Sequence, residues 1–192
     1  MEIIPLIYFK ERKIYIEKNS EPLSIKDFLL RYEKLKKIYL FDIDGIEKDK
    51  PNLCTYQRFS GLYEIWVDNG PRNIGDIVDS TTAGATDITI RPKIFANLKV
   101  SDIKEITENK IYSIYETNSL LNKPAQTDGL VNFYSIKELD SDLKSKSNLL
   151  EMISKSNSYS YITNIAEESY WKRIGANGLI IDLKRYEELK ND

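Results

Sequence analysis

Histidine is absent from this 192-residue chain, and cysteine occurs once, as Cys54. Without histidine there can be no Ser-His-Asp or Cys-His nucleophile and no histidine-ligated zinc, so proton transfer is left to carboxylates, lysine and tyrosine. A single cysteine forms neither an internal disulfide nor a multi-cysteine metal site, which favours a reducing compartment. We expect Cys54 to be a small buried hydrophobic residue. We therefore expect no cofactor, and the sequence contains no recognisable set of metal ligands.

The chain also lacks an excess of positive charge and a long apolar run. Its 28 basic and 30 acidic residues give a formal charge of -2, which argues against a nucleic-acid partner. No segment approaches the roughly 20 apolar residues of a membrane span, and the first residues contain no basic leader, so we expect a cytoplasmic protein. With only 8 Gly and 6 Pro, a collagen-like or disordered chain is excluded, and one globular domain over residues 1–192 is expected.

Eight short segments rich in Ile, Tyr and Val predict β-strands. They cover residues 3–9, 38–43, 63–67, 87–90, 111–115, 130–134, 159–163 and 179–181. Five segments between them have helical spacing, at residues 24–36 with Ser24 as N-cap, 74–82, 101–108, 135–152 and 167–174. This alternation predicts an α/β fold, and eight units favour a shortened (β/α)8 barrel over an open sheet. The connection between the fifth and sixth strands is only about ten residues long and contains Pro124, which leaves open whether one helix is missing there.

In such a barrel, functional groups gather at the carboxyl ends of the strands. Asp42 and Asp44 alternate along the predicted second strand, so both carboxylates should face the same way and raise each other's pKa. The structural alternative, in which Asp44 accepts hydrogen bonds from the turn amides at Gly45, stays open.

The loop after the third strand is a candidate anion site. Asp68, Asn69, Gly70 and Arg72 precede a predicted helix, so backbone amides and a guanidinium could converge on a phosphate there. Arg91 adds a second cation at the next strand end. An ordinary turn with Asn73 as the helix N-cap explains the same residues equally well.

These segments together resemble the histidine-biosynthesis ribotide isomerases and their cyclase relatives, which perform an Amadori rearrangement of an aminoaldose to an aminoketose. The likeness covers nearly the whole length. Residues 3–10 look like the family's opening strand, residues 41–45 like its Asp-x-Asp-Gly, and residues 67–72 like its Gly-Gly-Gly-Ile-Arg loop, while residues 175–187 follow its last strand and helix. The resemblance implies a phosphate-binding barrel with isomerase activity.

The departures from the family affect its acid–base pair. The family uses an Asp at the end of the first strand and another at the end of the fifth, and these positions here are Tyr8 and Glu116. With a reference pKa near 10, Tyr8 would be a base at neutral pH only with a cation such as Lys10 close by. The resemblance therefore implies Glu116 as acid or base, with Tyr8 or Asp44 as its partner.

The family's phosphate loops are changed as well. Its Gly-Thr after the fourth strand is Arg91-Pro92, its seventh-strand Gly-Gly is Asn164-Ile165, and its Gly after the eighth strand is Asp182. A carboxylate at that last position would repel a phosphate, so we expect the second phosphate site to be lost.

The sequence thus predicts isomerase-type acid–base chemistry on, or binding of, a small anionic or phosphorylated metabolite other than the bisphosphorylated histidine-pathway substrate. The acid–base residues are assigned as Glu116, Tyr8 and Asp44, and the substrate contacts as Lys10, Asp42, Asp68, Asn69, Gly70, Arg72 and Arg91. The alternative is a non-catalytic barrel that binds a metabolite or a partner protein. A monomer and a homodimer are both compatible with the sequence.

Overall fold

Eight parallel strands close into a barrel in the computed structural model, which describes residues 1–95, 99–116 and 127–191. In the order in which they pair, they are β1 (Glu2–Lys10), β3 (Lys37–Asp42), β4 (Glu64–Asp68), β5 (Ala85–Ile90), β6 (Lys110–Ile114), β7 (Gly129–Asn132), β8 (Ser158–Ile162) and β9 (Gly178–Asp182). Parallel pairing of β1 with β9 closes the ring. The predicted (β/α)8 barrel and its eight strands are confirmed, whereas the segment around Pro124 lies outside the described residues.

A short antiparallel strand, β2 (Lys13–Tyr15), folds back on the end of β1 through a two-residue turn. The helices that cover the barrel or follow its strands are α1 (Ile25–Arg31), α2 (Ile43–Lys48), α3 (Leu53–Ser60), α4 (Ile74–Thr82), α5 (Val100–Lys104), α6 (Ile136–Asp140), α7 (Leu143–Lys155), α8 (Glu168–Arg173) and α9 (Leu183–Asn191). Ser24 caps α1 as predicted, because its hydroxyl accepts a hydrogen bond from the Asp27 amide. None of the helices within the described ranges combines the length and apolar character that crossing a membrane requires.

The helix predictions need correction. The predicted helix over residues 135–152 is two helices, since Asp142 caps α7 by accepting hydrogen bonds from the Ser145 amide and hydroxyl. The pattern also missed α2 and α3, and α2 begins directly after β3 with no intervening loop. Asp42 is the last residue of that strand and the N-cap of that helix.

Aromatic side chains fill the interior of the barrel. Trp66 is fully buried there, with its ring centroid 4.0 Å from that of Tyr112, 4.8 Å from that of Tyr159 and 5.2 Å from that of Tyr39. Its indole N–H donates to the Thr89 hydroxyl at 2.8 Å. The interior is therefore a packed core without a central channel, as is usual for barrels of this size.

Large rings inside the barrel require small neighbours, and Gly129 supplies one. A Cβ atom at Gly129 would lie 2.1 Å from the Asn157 carbonyl oxygen and 2.8 Å from Cε1 of Tyr112. We expect Gly129→Ala to lower the free energy of unfolding by about 1–3 kcal/mol, because neither the backbone nor the packed ring can move without strain. Urea denaturation measures this, with Gly61→Ala as control, since nothing lies within 4 Å of a Cβ at that position. Equal unfolding midpoints for the two variants would contradict close packing around Gly129.

Candidate functional site

Three polar side chains form one cluster at the carboxyl-end mouth of the barrel. Tyr8 of β1 and Tyr161 of β8 both donate to Oδ1 of Asp182, at 2.9 and 3.1 Å. Their own hydroxyl oxygens lie 3.3 Å apart. Asp182 ends β9, and that strand lies between β8 and β1, so closure of the barrel brings these groups together. We call these three residues the Asp182 cluster.

The Asp182 cluster holds a carboxyl that keeps its proton more readily than an ordinary aspartate. Burial raises the pKa of Asp182, and the hydrogen bonds from Tyr8 and Tyr161 only partly oppose this. The charges of Glu17 and Arg185 act in opposite directions, the first raising the pKa and the second lowering it. Within the described residues, Oδ2 of Asp182 has no hydrogen-bond partner. One oxygen is thus fixed by the protein, and the other can meet a ligand.

Burial also raises the pKa of Tyr8, and the neighbouring Asp182 carboxylate raises it further. A phenol with a raised pKa is neutral at neutral pH, so Tyr8 acts here as a hydrogen-bond donor. Lys10 itself is exposed at the end of β1, on the same side of the strand as Tyr8 by alternation. It makes no ion pair with any described residue.

Aromatic rings surround the Asp182 cluster. Tyr8, Phe41, Phe133 and Tyr161 follow one another across the mouth, with centroid separations of 5.7 Å from Tyr8 to Phe41, 5.7 Å from Phe41 to Phe133 and 5.4 Å from Phe133 to Tyr161. We call these four residues the aromatic collar. Phe41, Phe133 and Tyr161 are only half-buried, so their rings offer a flat surface to a ligand.

A buried ion pair lies beside the collar. The Arg91 guanidinium donates from Nε and Nη2 to the two carboxylate oxygens of Asp68, at 2.9 and 2.6 Å, and Tyr39 donates to the same carboxylate at 3.1 Å. Burial alone would lower the pKa of Arg91, but the carboxylates of Asp68 and then Glu116 hold it above its ordinary value. The structure thus brings Asp68, Arg91 and Glu116 together, as expected of neighbouring strand ends, and Glu116 is itself buried.

Asp42 and Asp44 do not face the same way, which corrects the alternation argument. Because β3 ends at Asp42, Asp44 belongs to the first turn of α2. Asp42 accepts hydrogen bonds from the Gly45 amide at 3.1 Å, from the amide and side chain of Asn52 at 2.7 and 2.9 Å, and from the Tyr56 hydroxyl. Burial raises the Asp42 pKa despite these bonds. Asp42 is therefore a structural N-cap directed away from the barrel interior.

Asp44 also serves the local structure. It accepts the Glu11 amide at 2.5 Å and the Lys48 ammonium at 2.9 Å. Burial favours a higher pKa, but these donors outweigh it and hold the Asp44 pKa below its usual value. Asp44 is ionised and paired at neutral pH, and it does not contact the Asp182 cluster.

The 68–73 loop binds an anionic group of its own chain. The backbone amides of Arg72 and Asn73 both donate to Oδ2 of Asp76, at 2.7 and 3.2 Å. The Arg72 guanidinium donates to the carbonyls of Gly45, Ile46 and Gly70 and to Asp49. The donors proposed for a phosphate are thus used internally.

The remaining two loop residues are packed against neighbouring helices. Asn69 donates from Nδ2 to the Ser80 hydroxyl of α4 at 2.9 Å. Gly70 has a φ of 63° and lies against Ile46 of α2, where a Cβ would be 3.1 Å from the Ile46 Cα atom. Both positions support the turn, and of the loop only the Asp68 side chain joins the groups at the mouth.

Comparison with known proteins adds no family assignment. No protein-family model matches the chain, and no curated protein matches it. Among the described residues, no group of three or more cysteine and acidic side chains could hold a metal ion. Function is therefore inferred from the geometry of the mouth.

Sequence reasoning missed two members of the Asp182 cluster. Tyr161 alternates with Tyr159 on β8, so its inward direction could have been inferred from the strand assignment. The sequence predicts Asp182 only as a residue that repels phosphate, although its position at a strand end marks it equally well as a candidate acid. Chemically, the mouth combines a protonatable carboxyl, neutral phenol donors and a second buried carboxyl.

The raised pKa of Asp182 predicts how stability depends on pH. A carboxyl with a higher pKa in the folded state stabilises the fold at low pH, and this contribution is lost as the pH rises through the folded-state value. Asn at position 182 keeps the Oδ1 acceptor and removes the charge. We expect Asp182→Asn to be as stable as wild type near pH 4 and increasingly more stable than wild type as the pH rises to 7. Urea denaturation across this range measures the difference, and a difference that shrinks with pH contradicts the raised pKa.

Proposed function

We propose that the protein is a divergent relative of the ribotide isomerases that binds a small anionic metabolite at the barrel mouth and transfers a proton on it. Asp182 and Glu116 are the candidate acid and base. The observation that carries the proposal is the Asp182 carboxyl, buried at the inner rim with one oxygen fixed by Tyr8 and Tyr161. The bisphosphorylated histidine-pathway substrate is not the proposed ligand.

The electrostatics of Asp182 suit proton transfer. A carboxyl with a raised pKa can donate a proton at a pH where an ordinary aspartate has already lost it, and general acid–base catalysis is most efficient when the pKa is close to the working pH. Tyr8 takes the place of the family's first-strand Asp, and its hydroxyl contacts Asp182 directly. In this proposal, the acid is Asp182 on β9, the strand next to β1, and the Tyr8 hydroxyl positions its carboxyl group.

Glu116 provides the second carboxyl. It follows β6, and the two strands β7 and β8 separate it from β9 in the barrel, so Glu116 and Asp182 approach the mouth from different sides. Such a separation allows one group to remove a proton from one carbon while the other delivers a proton to a neighbouring atom. The aromatic collar lies between these two carboxyls on both sides of the mouth, with Tyr8 and Phe41 on one side and Phe133 and Tyr161 on the other. Its rings would contact the flat part of a ligand.

The cation expected to attract the metabolite is Lys10. It stands above Tyr8 on β1, and its ammonium forms no ion pair within the described part of the chain. Arg72 is committed to the carbonyls of α2 and its neighbours, which is why a ligand with two phosphates is not supported. One anionic group is the most that this arrangement favours.

The second candidate function is non-catalytic binding of a metabolite or a partner protein. It is favoured by the internal use of the groups that a phosphate would need: Asp76 occupies the loop amides, and Asp68 pairs with Arg91. In that case the mouth would bind a ligand through the collar and Lys10 without turning it over.

A panel of aldose and ketose monophosphates distinguishes the two functions. Thermal denaturation identifies a stabilising ligand, because each kcal/mol of binding free energy linked to folding should raise the melting temperature of a domain of this size by about 2–4 °C. Solvent deuterium exchange at the carbon next to the carbonyl, followed by NMR, then reports proton transfer.

We expect Lys10→Ala to lose the stabilisation and Lys26→Ala, an exposed lysine of α1, to keep it. Asp182→Asn should keep the stabilisation and lose exchange by about 10²–10⁴-fold. Binding without exchange in wild type favours the non-catalytic function. Undiminished exchange in Asp182→Asn refutes the role of this carboxyl.

A further inference from the structure

A cavity of about 610 Å³ lies on the carboxyl-end side of the barrel, between the β1–β2 turn and α3. Arg12 of the turn and Arg58 of α3 line it. Ile25, Pro51 and Leu53 supply apolar surface. The volume is within the range of small-molecule sites. None of the residues of the Asp182 cluster lines this cavity, so it is separate from the proposed site of proton transfer.

The two arginines are available to a ligand. Neither Arg12 nor Arg58 forms an ion pair or a side-chain hydrogen bond with any other described residue. No carboxylate is found among the described residues that line the cavity. Two arginines that line one cavity attract an anion, and a guanidinium binds phosphate oxygens with paired N–H donors.

Both walls of the cavity are fixed by the carboxylates at the β3–α2 junction. Asp44 accepts the amide of Glu11, the residue next to Arg12, at 2.5 Å. Asp42 accepts the amide and side chain of Asn52, the residue before α3, at 2.7 and 2.9 Å. The two buried acids that the sequence singled out therefore connect both the turn and the start of α3 to the β3–α2 junction. Because the turn and α3 are already held in place, a ligand that binds here loses little free energy to ordering them.

Arg12 occupies a backbone position that favours glycine. Its φ is 62°, and that of Glu11 is 52°, as a two-residue hairpin turn of this hand requires. Glycine or asparagine would adopt these angles with less strain. An arginine thus lines the cavity from a backbone position that costs it conformational free energy.

We infer that this cavity binds a small organic phosphate monoester, with the phosphate between Arg12 and Arg58 and the carbon skeleton against Ile25, Pro51 and Leu53. A phosphate monoester carries close to two negative charges at neutral pH, which match the two guanidinium groups. The inference is independent of the proposed function, because it involves none of the residues assigned to proton transfer.

Cys54 makes the cavity directly observable. The sequence-based expectation of a buried Cys54 is wrong, because the side chain is exposed at the cavity. It lies one helical turn from Arg58 on the same face of α3. Since it is the only cysteine of the chain, a neutral alkylating reagent such as iodoacetamide modifies this site alone. We expect phenyl phosphate, at about ten times its dissociation constant, to slow the alkylation of Cys54 about tenfold, because the occupied site excludes the reagent.

The variants separate binding from folding. Arg12→Gly removes the backbone strain of the turn, so this variant should unfold at a urea concentration at least as high as wild type. Its Cys54 should nevertheless lose the protection by phenyl phosphate. Arg58→Gln should lose it too, whereas Arg31→Gln, which alters an exposed ion pair with Glu187, should retain it. Asp182→Asn should retain the protection of Cys54, because Asp182 does not line this cavity. The test of phosphate binding is therefore separate from the test of proton transfer.

Three results would overturn the inference. They are the absence of protection by phenyl phosphate in wild type, undiminished protection in Arg12→Gly and Arg58→Gln, and equal protection by benzyl alcohol, which lacks the charge.

Discussion

Replacing Trp66 with alanine should lower the free energy of unfolding by about 3–5 kcal/mol. The side chain is completely buried in the barrel interior, in contact with the rings of Tyr39, Tyr112 and Tyr159. Alanine would remove the transfer free energy of the indole and leave a cavity that strands of a closed ring cannot collapse to fill. The Thr89 hydroxyl would also lose its indole donor.

Chemical denaturation monitored by far-UV circular dichroism measures this loss. Leu62→Ala is a suitable control, because Leu62 is 55% exposed and its truncation should change stability little. A Trp66→Ala protein whose stability matched that of Leu62→Ala would mean that the barrel interior is not packed around the indole.

Removing the charge of Arg91 should have a comparable effect, of about 3–5 kcal/mol. Arg91→Met keeps much of the side-chain volume but leaves the Asp68 carboxylate fully buried, with Tyr39 as its remaining side-chain donor. The cost arises mainly from the uncompensated charge. Adding Asp68→Asn removes that charge, so the double variant should recover a large part of the loss.

Urea denaturation of wild type, both single variants and the double variant provides the thermodynamic cycle. A coupling free energy near zero would show that Asp68 and Arg91 do not depend on each other and would contradict the bidentate geometry. A large coupling, with the double variant more stable than Arg91→Met, agrees with it.

The strands were predictable because each is a short run of Ile, Val and Tyr bounded by polar residues, and the barrel followed from their number. Where each strand ends was not predictable. Asp42 and Asp44 look like alternating strand residues, but the side chain of Asp42 accepts the Gly45 amide and starts a helix at Ile43. One hydrogen bond thus turns a carboxylate expected at the mouth into a structural cap.

The candidate site was predictable only in part, because a sequence does not show which donors the chain uses itself. Arg72 could have bound a phosphate, but the carbonyls of Gly45 and Ile46 lie within its reach. The Asp182 cluster depends on a contact between residues 174 positions apart, which the register of β1 with β9 determines. Leu6 pairs with Asp182 in that register, so Tyr8 stands one step further along the same face.

The carboxyl ¹³C chemical shift of Asp182, followed by NMR as a function of pH, is the decisive measurement for the barrel mouth. In wild type we expect a pKa above the ordinary value of an aspartate, because burial of the charged form outweighs the hydrogen bonds from Tyr8 and Tyr161. In Tyr8→Phe, the loss of one donor to the carboxylate should raise the pKa further. An Asp182 that titrates at or below the usual value of about 3.9, or one whose pKa falls in Tyr8→Phe, would contradict a buried carboxyl held by two phenol donors.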